Sequence, residues 1–103
     1  MAESRYLLPV SMDSRIRHYH RTDRRRVVEF SIQLEVKVRD DWRAVIRYDT
    51  VHGAAHIDRF TIAGKRQKEW LRLDFREALV RAERDLKQNW LTYRERFFRG
   101  GFP

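Results

Sequence analysis

The stretch VVEFSIQLEVKVRDDWRAVIRY, residues 27–48, decides the fold. From Val28 to Arg39, apolar residues, most of them β-branched, alternate with polar or charged ones. A period of two predicts a strand with one buried face. The alternation resumes from Trp42 to Tyr48 after the polar pair Asp40-Asp41, so the stretch predicts a hairpin of two antiparallel strands.

The same pattern continues toward the C-terminus. Residues 56–62 alternate again and predict a third strand, and Gly64-Lys65 predicts the turn that follows it. Residues 67–73 predict a fourth, shorter strand that Trp70 anchors.

A long helix is predicted after these strands. Asp74 and Glu77 have the spacing of a capping box, and Gly100-Gly101 marks the end. The apolar residues between them recur at spacings of three and four, which is typical of an amphipathic helix: Phe75, Ala78, Leu79, Ala82, Leu86, Trp90, Tyr93 and Phe97. The expected fold class is α+β, an antiparallel meander of three to four strands with one long C-terminal helix packed on one face.

Residues 1–26 show no clean periodicity, and Arg24-Arg25-Arg26 is their sharpest cluster of charge. We expect a basic, irregular N-terminal arm over residues 1–26 and a single α+β domain over residues 27–103. The chain has no cysteine and no long apolar run. These features exclude disulfides, predict no membrane span or signal peptide, and favour a cytoplasmic protein.

The composition is strongly basic, with a net charge of +8 and nineteen arginines against four lysines. This balance favours an anionic partner, either RNA or another nucleic acid, or an acidic protein. The alternative is a compositional bias toward arginine, because most of the excess is spread along the chain.

The far end of the predicted helix carries four aromatic residues, and a helix of this length would extend beyond a four-stranded sheet. Aromatics that overhang the sheet would indicate a partner, either a second copy in a homodimer through the C-terminal helix or a cognate protein. Alternatively, residues 1–20 fold back over them. The four residues are Trp90, Tyr93, Phe97 and Phe98.

The run RYDTVHGAAHID, residues 47–58, is the densest cluster of titratable groups. It falls between two predicted strands, where side chains can converge. One chemistry that fits is RNA cleavage without a metal or other cofactor, in which His52 and His56 exchange protons with the substrate. Asp49 or Asp58 would orient an imidazole, Arg47 or Arg59 would stabilise the phosphorane, and Tyr48 could stack on a base. The residues expected to bind the substrate are Tyr48, Asp58, Arg59 and Arg43.

Two other interpretations of the run remain open. Asp49, His52, His56 and Asp58 could bind a divalent transition metal, although a glycine-containing turn separates the histidines. The run could also be structural, with the aspartates as turn formers and Gly53 adopting a positive φ.

Residues 28–98 resemble a small uncharacterised prokaryotic family. The resemblance rests on Trp42, on the Tyr48-Asp49-x-x-His52-Gly53-x-x-His56 motif, and on the long helix ending near residues 93–97. More distantly, the Tyr-Asp strand end followed by a histidine turn is similar to the TumE-type toxins of toxin–antitoxin systems. This resemblance implies a role in a toxin–antitoxin or defence module, a cognate antitoxin as partner, and Asp49, His52 and His56 as site residues.

Two functional hypotheses follow. The first is a small basic RNA-directed protein that acts as a metal-independent toxin ribonuclease. The alternative is a non-catalytic module that binds nucleic acid or protein, in which the His-Gly turn is structural.

Overall fold

The computed structural model describes residues 1–103. It contains one antiparallel sheet whose six strands lie in sequence order, followed by one long helix. The elements are β1 (Ala2–Ser11), β2 (Ser14–Asp23), β3 (Arg26–Val38), β4 (Asp41–Asp49), β5 (His56–Phe60), β6 (Arg66–Trp70) and α1 (Phe75–Phe98). A short 3-10 turn, Val51–Gly53, lies between β4 and β5.

The α+β prediction is confirmed: an antiparallel meander carries one C-terminal helix on one face. The alternation in β3 places Phe30, Ile32, Leu34 and Val36 on the face under α1, where all four are buried. The apolar stripe of α1 packs against β3 and β4. We call this side of the sheet the inner face and the opposite side the outer face.

The helix begins where the capping box predicts. Asp74 is the N-cap, and its carboxylate accepts a hydrogen bond of 2.8 Å from the Glu77 backbone N–H. The helix ends at Phe98, and Gly100 has a φ of +90° in the turn that follows.

The strand number was predicted wrongly, because the sheet has six strands and not three to four. The expectation of an irregular arm over residues 1–26 was also wrong: this segment forms β1 and β2. β2 pairs with β3 over its whole length. Its inner positions include Ser14 and His18, which are 0% and 3% exposed, so polar residues occupy places where a sequence pattern expects apolar ones.

Three of the four helix aromatics are covered, whereas Phe98 is 39% exposed. Phe97 is fully buried, and Trp90 and Tyr93 pack against the core. The helix packs mainly on β3 and β4. Asp13 in the β1–β2 turn also accepts a hydrogen bond of 2.6 Å from Arg94 near the end of α1. The exposed aromatic surface at the helix end is therefore smaller than expected, and a homodimer through the helix stays a prediction.

In a meander, successive connections lie at alternate ends of the sheet. The β2–β3 turn, the β4–β5 connection and the start of α1 therefore share one end, which we call the arginine end because Arg24-Arg25-Arg26 lies there. The opposite end carries the β1–β2, β3–β4 and β5–β6 turns. No helix is both long and apolar enough to cross a membrane.

Candidate functional site

The run of titratable residues spans the end of β4, the connection and β5. Asp49 pairs with His56 across the two strands, and Arg47 pairs with Asp58. Residues opposite each other in an antiparallel pair share a face, so these four side chains lie on the outer face. The pairing of β4 with β5 brings these four side chains together, but burial and bonding divide their roles.

Asp58 is the centre of a buried charge cluster. Its carboxylate lies 3.3 Å from His56 Nε2, 3.6 Å from Arg47 Nη2 and 4.0 Å from Lys68 Nζ. Asp58 Oδ1 and Arg47 Nε are buried and have no hydrogen-bond partner. A carboxylate surrounded in this way compensates the charge of neighbouring basic groups and so has a structural role.

His56 is 2% exposed. Its Nδ1 lies 3.2 Å from the Ala54 carbonyl oxygen, and its ring packs on Trp70 with 5.3 Å between ring centroids. Because Nε2 faces Asp58, both ring nitrogens already have partners within the protein. His56 therefore orients the start of β5, and a substrate could reach it only if Trp70 moved.

His52 is exposed and has a φ of 73°, in the left-handed region. The connection around it is fixed by Asp49, whose Oδ1 accepts a hydrogen bond of 2.6 Å from the Val51 backbone N–H. Thr50 also anchors the connection, because its hydroxyl oxygen accepts a hydrogen bond of 3.0 Å from the Phe30 backbone N–H. Of the two imidazoles in the run, His52 is the one available to solvent.

The residues expected to bind substrate do not form one site. Tyr48 is 1% exposed on the inner face, where it cannot stack on a base. Arg59 donates a hydrogen bond of 2.7 Å to Glu69, and Arg43 donates one of 3.0 Å to the Ile62 carbonyl. Asp58 is buried in the outer-face cluster. These roles are therefore divided between the two faces of the sheet.

Sequence reasoning missed Asp85. This helix carboxylate accepts hydrogen bonds from Tyr48, Tyr93 and Asn89 at 2.5, 2.6 and 2.8 Å. Burial and the bond to Asp85 raise the pKa of Tyr93 to about 12, and the same causes raise the pKa of Tyr48. The available signal was an acidic residue three positions after Ala82, on the border of the apolar stripe.

The arginines of the outer face are neutralised by acids. Glu35 is 6% exposed and accepts hydrogen bonds of 2.7 Å from Arg15 and 2.9 Å from Arg17. Arg21 pairs with Glu29 at 2.9 Å. Burial alone would raise the pKa of the Glu35 carboxyl, but the hydrogen bonds from Arg17 and Arg15 and the charge of Arg17 hold it below its usual value. The outer face therefore contributes little uncompensated charge.

Five arginines on α1 and at the β2–β3 turn form no salt bridge, although the Asp74 carboxylate interacts electrostatically with Arg76. Arg25, Arg26 and Arg76 line one concave surface of about 320 Å³, with Val27, Asp74 and Phe75. Arg76 also lines the next one, with Glu77, Val80, Arg81 and Arg84. All five arginines are exposed, and none forms an ion pair with an acidic side chain. We call Arg25, Arg26, Arg76, Arg81 and Arg84 the arginine surface.

The metal interpretation receives no geometric support. No group of three or more His, Asp or Glu side chains is arranged to hold a metal ion. His52 is exposed to solvent, whereas His56 and Asp58 are buried, so the proposed ligands do not share one accessible centre.

No curated protein and no solved structure matches this chain. A family model described as a domain of unknown function (DUF7718) matches residues 1–102. That description includes no activity and no toxin, so the resemblance to TumE-type toxins stays a prediction. The match extends over all six strands and the helix, and the chain therefore belongs to this family of unknown function.

Proposed function

We propose that this protein binds nucleic acid, with RNA as the expected form, through the arginine surface. The observation that supports the proposal is a cluster: five exposed arginines that form no salt bridge line two concave surfaces, which share Arg76. Uncompensated cations clustered on a concave surface attract polyanions.

The residue type supports phosphate as the recognised group. A guanidinium can donate two parallel hydrogen bonds to a phosphate and remains charged at any physiological pH. Two acids, Asp74 and Glu77, line the same surface, but the Asp74 carboxylate is engaged with the Glu77 backbone N–H. The one aromatic residue that lines the surface, Phe75, is half-buried and packs against the core. The proposed contacts are therefore with the backbone and depend weakly on sequence.

The test is a charge-removal variant, Arg76→Gln with Arg81→Gln and Arg84→Gln. Glutamine retains helix propensity, and all three side chains are exposed, so the fold should persist. The matched control is Lys37→Gln with Arg39→Gln and Lys65→Gln. It removes the same charge from exposed residues that form no ion pair and lie near the opposite end of the sheet.

Fluorescence anisotropy with a labelled RNA of about 20 nucleotides should show a loss of affinity of roughly tenfold or more for the helix variant and a small loss for the control. Equal losses would mean that only net charge matters and would contradict a specific surface. DNA of the same sequence, tested in parallel, shows whether the preference is for RNA.

Ribonuclease activity is a second candidate, favoured by one observation: the exposed His52 lies at the same end of the sheet as the arginine surface. A nucleic acid bound there would pass close to this imidazole. The expected result is that His52→Ala abolishes cleavage and leaves binding intact, whereas His56→Ala mainly lowers stability. Cleavage that survives His52→Ala, or RNA that is bound and never cleaved, would contradict the catalytic role and leave the binding role.

A further inference from the structure

The two edges of the sheet differ in how they are protected. β6 is a short edge strand, Arg66–Trp70, with three charged residues among its five. Charged, short edge strands are the usual protection against pairing with another chain. β1, the other edge, has ten residues and exposes Tyr6 and Leu7 by 47% and 46%. Its free edge presents unpaired backbone groups that could extend the sheet.

The charge of the molecule restricts where a second copy can bind. A second copy that approached the arginine surface or the outer side of α1 would meet unpaired cations such as Arg84 and Lys87. β1 contains one acid, Glu3, and one base, Arg5, which form an exposed ion pair at 3.7 Å within the strand. It is therefore a neutral segment on a protein with a net charge of +8, and two copies can meet there without strong repulsion.

We propose that β1 is the pairing edge for a second copy of this chain, in antiparallel register about a two-fold axis at Ser4. In that register, Glu3 of each copy lies opposite Arg5 of the other, and Ala2 lies opposite Tyr6. The contact is isologous and self-complementary, as a two-fold interface requires. Pro9, which lacks a backbone N–H, falls outside the paired segment.

The proposal does not depend on nucleic-acid binding, because it uses residues outside the arginine surface. The test is sedimentation of the full chain from about 1 to 200 µM, with the wild type expected to form dimers. Glu3→Arg alone or Arg5→Glu alone places like charges opposite each other and should weaken the dimer at least tenfold. The double variant Glu3→Arg with Arg5→Glu restores opposite charges and should restore the dimer.

All of these side chains are exposed, so circular dichroism should show the same fold for every variant. Arg66→Glu on the β6 edge is the matched control and should leave the dimer unchanged. A wild type that stays monomeric at 200 µM would overturn the proposal. A dimer that survives both single variants, or that the double variant fails to restore, would also overturn it. Loss of the dimer in Leu91→Glu alone would place the interface on α1.

Discussion

Arg24 and Arg25 are two consecutive residues with left-handed backbone conformations. They are the central residues of the two-residue β2–β3 turn, with φ values of 52° and 66°. Turns of this kind favour Asn-Gly, because other L-residues lose roughly 1–2 kcal/mol each in the left-handed region. Two consecutive arginines at such positions are thus unfavourable for stability, which indicates that their side chains serve another purpose.

This strain predicts opposite changes in stability and binding. Arg24→Asn with Arg25→Gly should raise the free energy of unfolding by about 1 kcal/mol, since relief of strain exceeds the entropy cost of glycine. RNA affinity should fall at the same time. Urea denaturation and anisotropy measure the two effects. Arg39→Gly is the control, because Arg39 also has a positive φ of 59° but lies at the opposite end. It should stabilise without changing affinity, and a double variant that loses stability would refute the idea.

The tyrosines bonded to Asp85 predict how stability changes with pH. An unfolded tyrosine ionises near pH 10, whereas the folded protein raises the pKa of Tyr93 to about 12. Below pH 10 both states are protonated, and the stabilisation is complete. Between about pH 10 and 12 the unfolded chain releases its proton first, so the melting temperature should fall.

Tyr93→Phe tests the assignment. It should cost about 1–2 kcal/mol at pH 7, because it removes a hydrogen bond to a carboxylate, and it should flatten the alkaline decline. Calorimetry from pH 7 to 11.5 measures both effects. An unchanged decline in this variant would assign the titration to other groups.

At the scale of elements, the start of α1 links stability to the arginine surface. Asp74 caps the helix, yet its charge lies beside Arg25, Arg26 and Arg76. Asp74→Asn keeps a good N-cap and removes the charge, so RNA affinity should rise a few-fold while stability falls by less than about 1 kcal/mol. Asp74→Ala, which has no capping group, should lose about 1 kcal/mol. Anisotropy and urea denaturation separate the two effects, and an unchanged affinity in Asp74→Asn would argue against binding at this surface.

The sequence predicted those elements whose burial follows apolar periodicity. β3 and α1 are examples, because Ile32, Leu34, Ala82 and Leu86 repeat at the spacing of a strand or a helix and are all fully buried. β2 could not be predicted in this way. His18 takes an inner position by hydrogen-bonding Tyr6 and His20, at 3.1 and 2.7 Å, so its burial depends on partners that no local pattern shows.

The candidate site shows the same limit. Strand alternation accounts for the shared face of Arg47, Asp49, His56 and Asp58, which pair across β4 and β5. It gave no sign that Trp70, from the neighbouring β6, packs on His56. The sequence did not predict the arginine surface, because the pattern of Arg76, Arg81 and Arg84 is typical of an ordinary solvent-exposed helix face. Only the meander brings this face to the end where Arg25 and Arg26 lie.

At the scale of the whole molecule, the net charge is +8. The outer face is a network of arginines and acids in contact, whereas exposed cations without a salt bridge lie at both ends of the sheet, and five of them form the arginine surface. Nucleic-acid binding at this surface should release counterions in proportion to the phosphates contacted. The slope of the salt dependence therefore gives the number of phosphate contacts.

If all five residues of the arginine surface contact phosphates, the logarithm of the affinity for single-stranded RNA should fall with the logarithm of salt concentration with a slope of about −3.5. Arg76→Gln with Arg81→Gln and Arg84→Gln removes three contacts and should bring the slope to about −1.5. Anisotropy titrations between 50 and 300 mM salt measure both slopes. The control at the opposite end should keep the wild-type slope, because its charges lie farther from the bound strand than the Debye screening length. A slope unchanged by the helix variant would move the binding surface elsewhere on the protein.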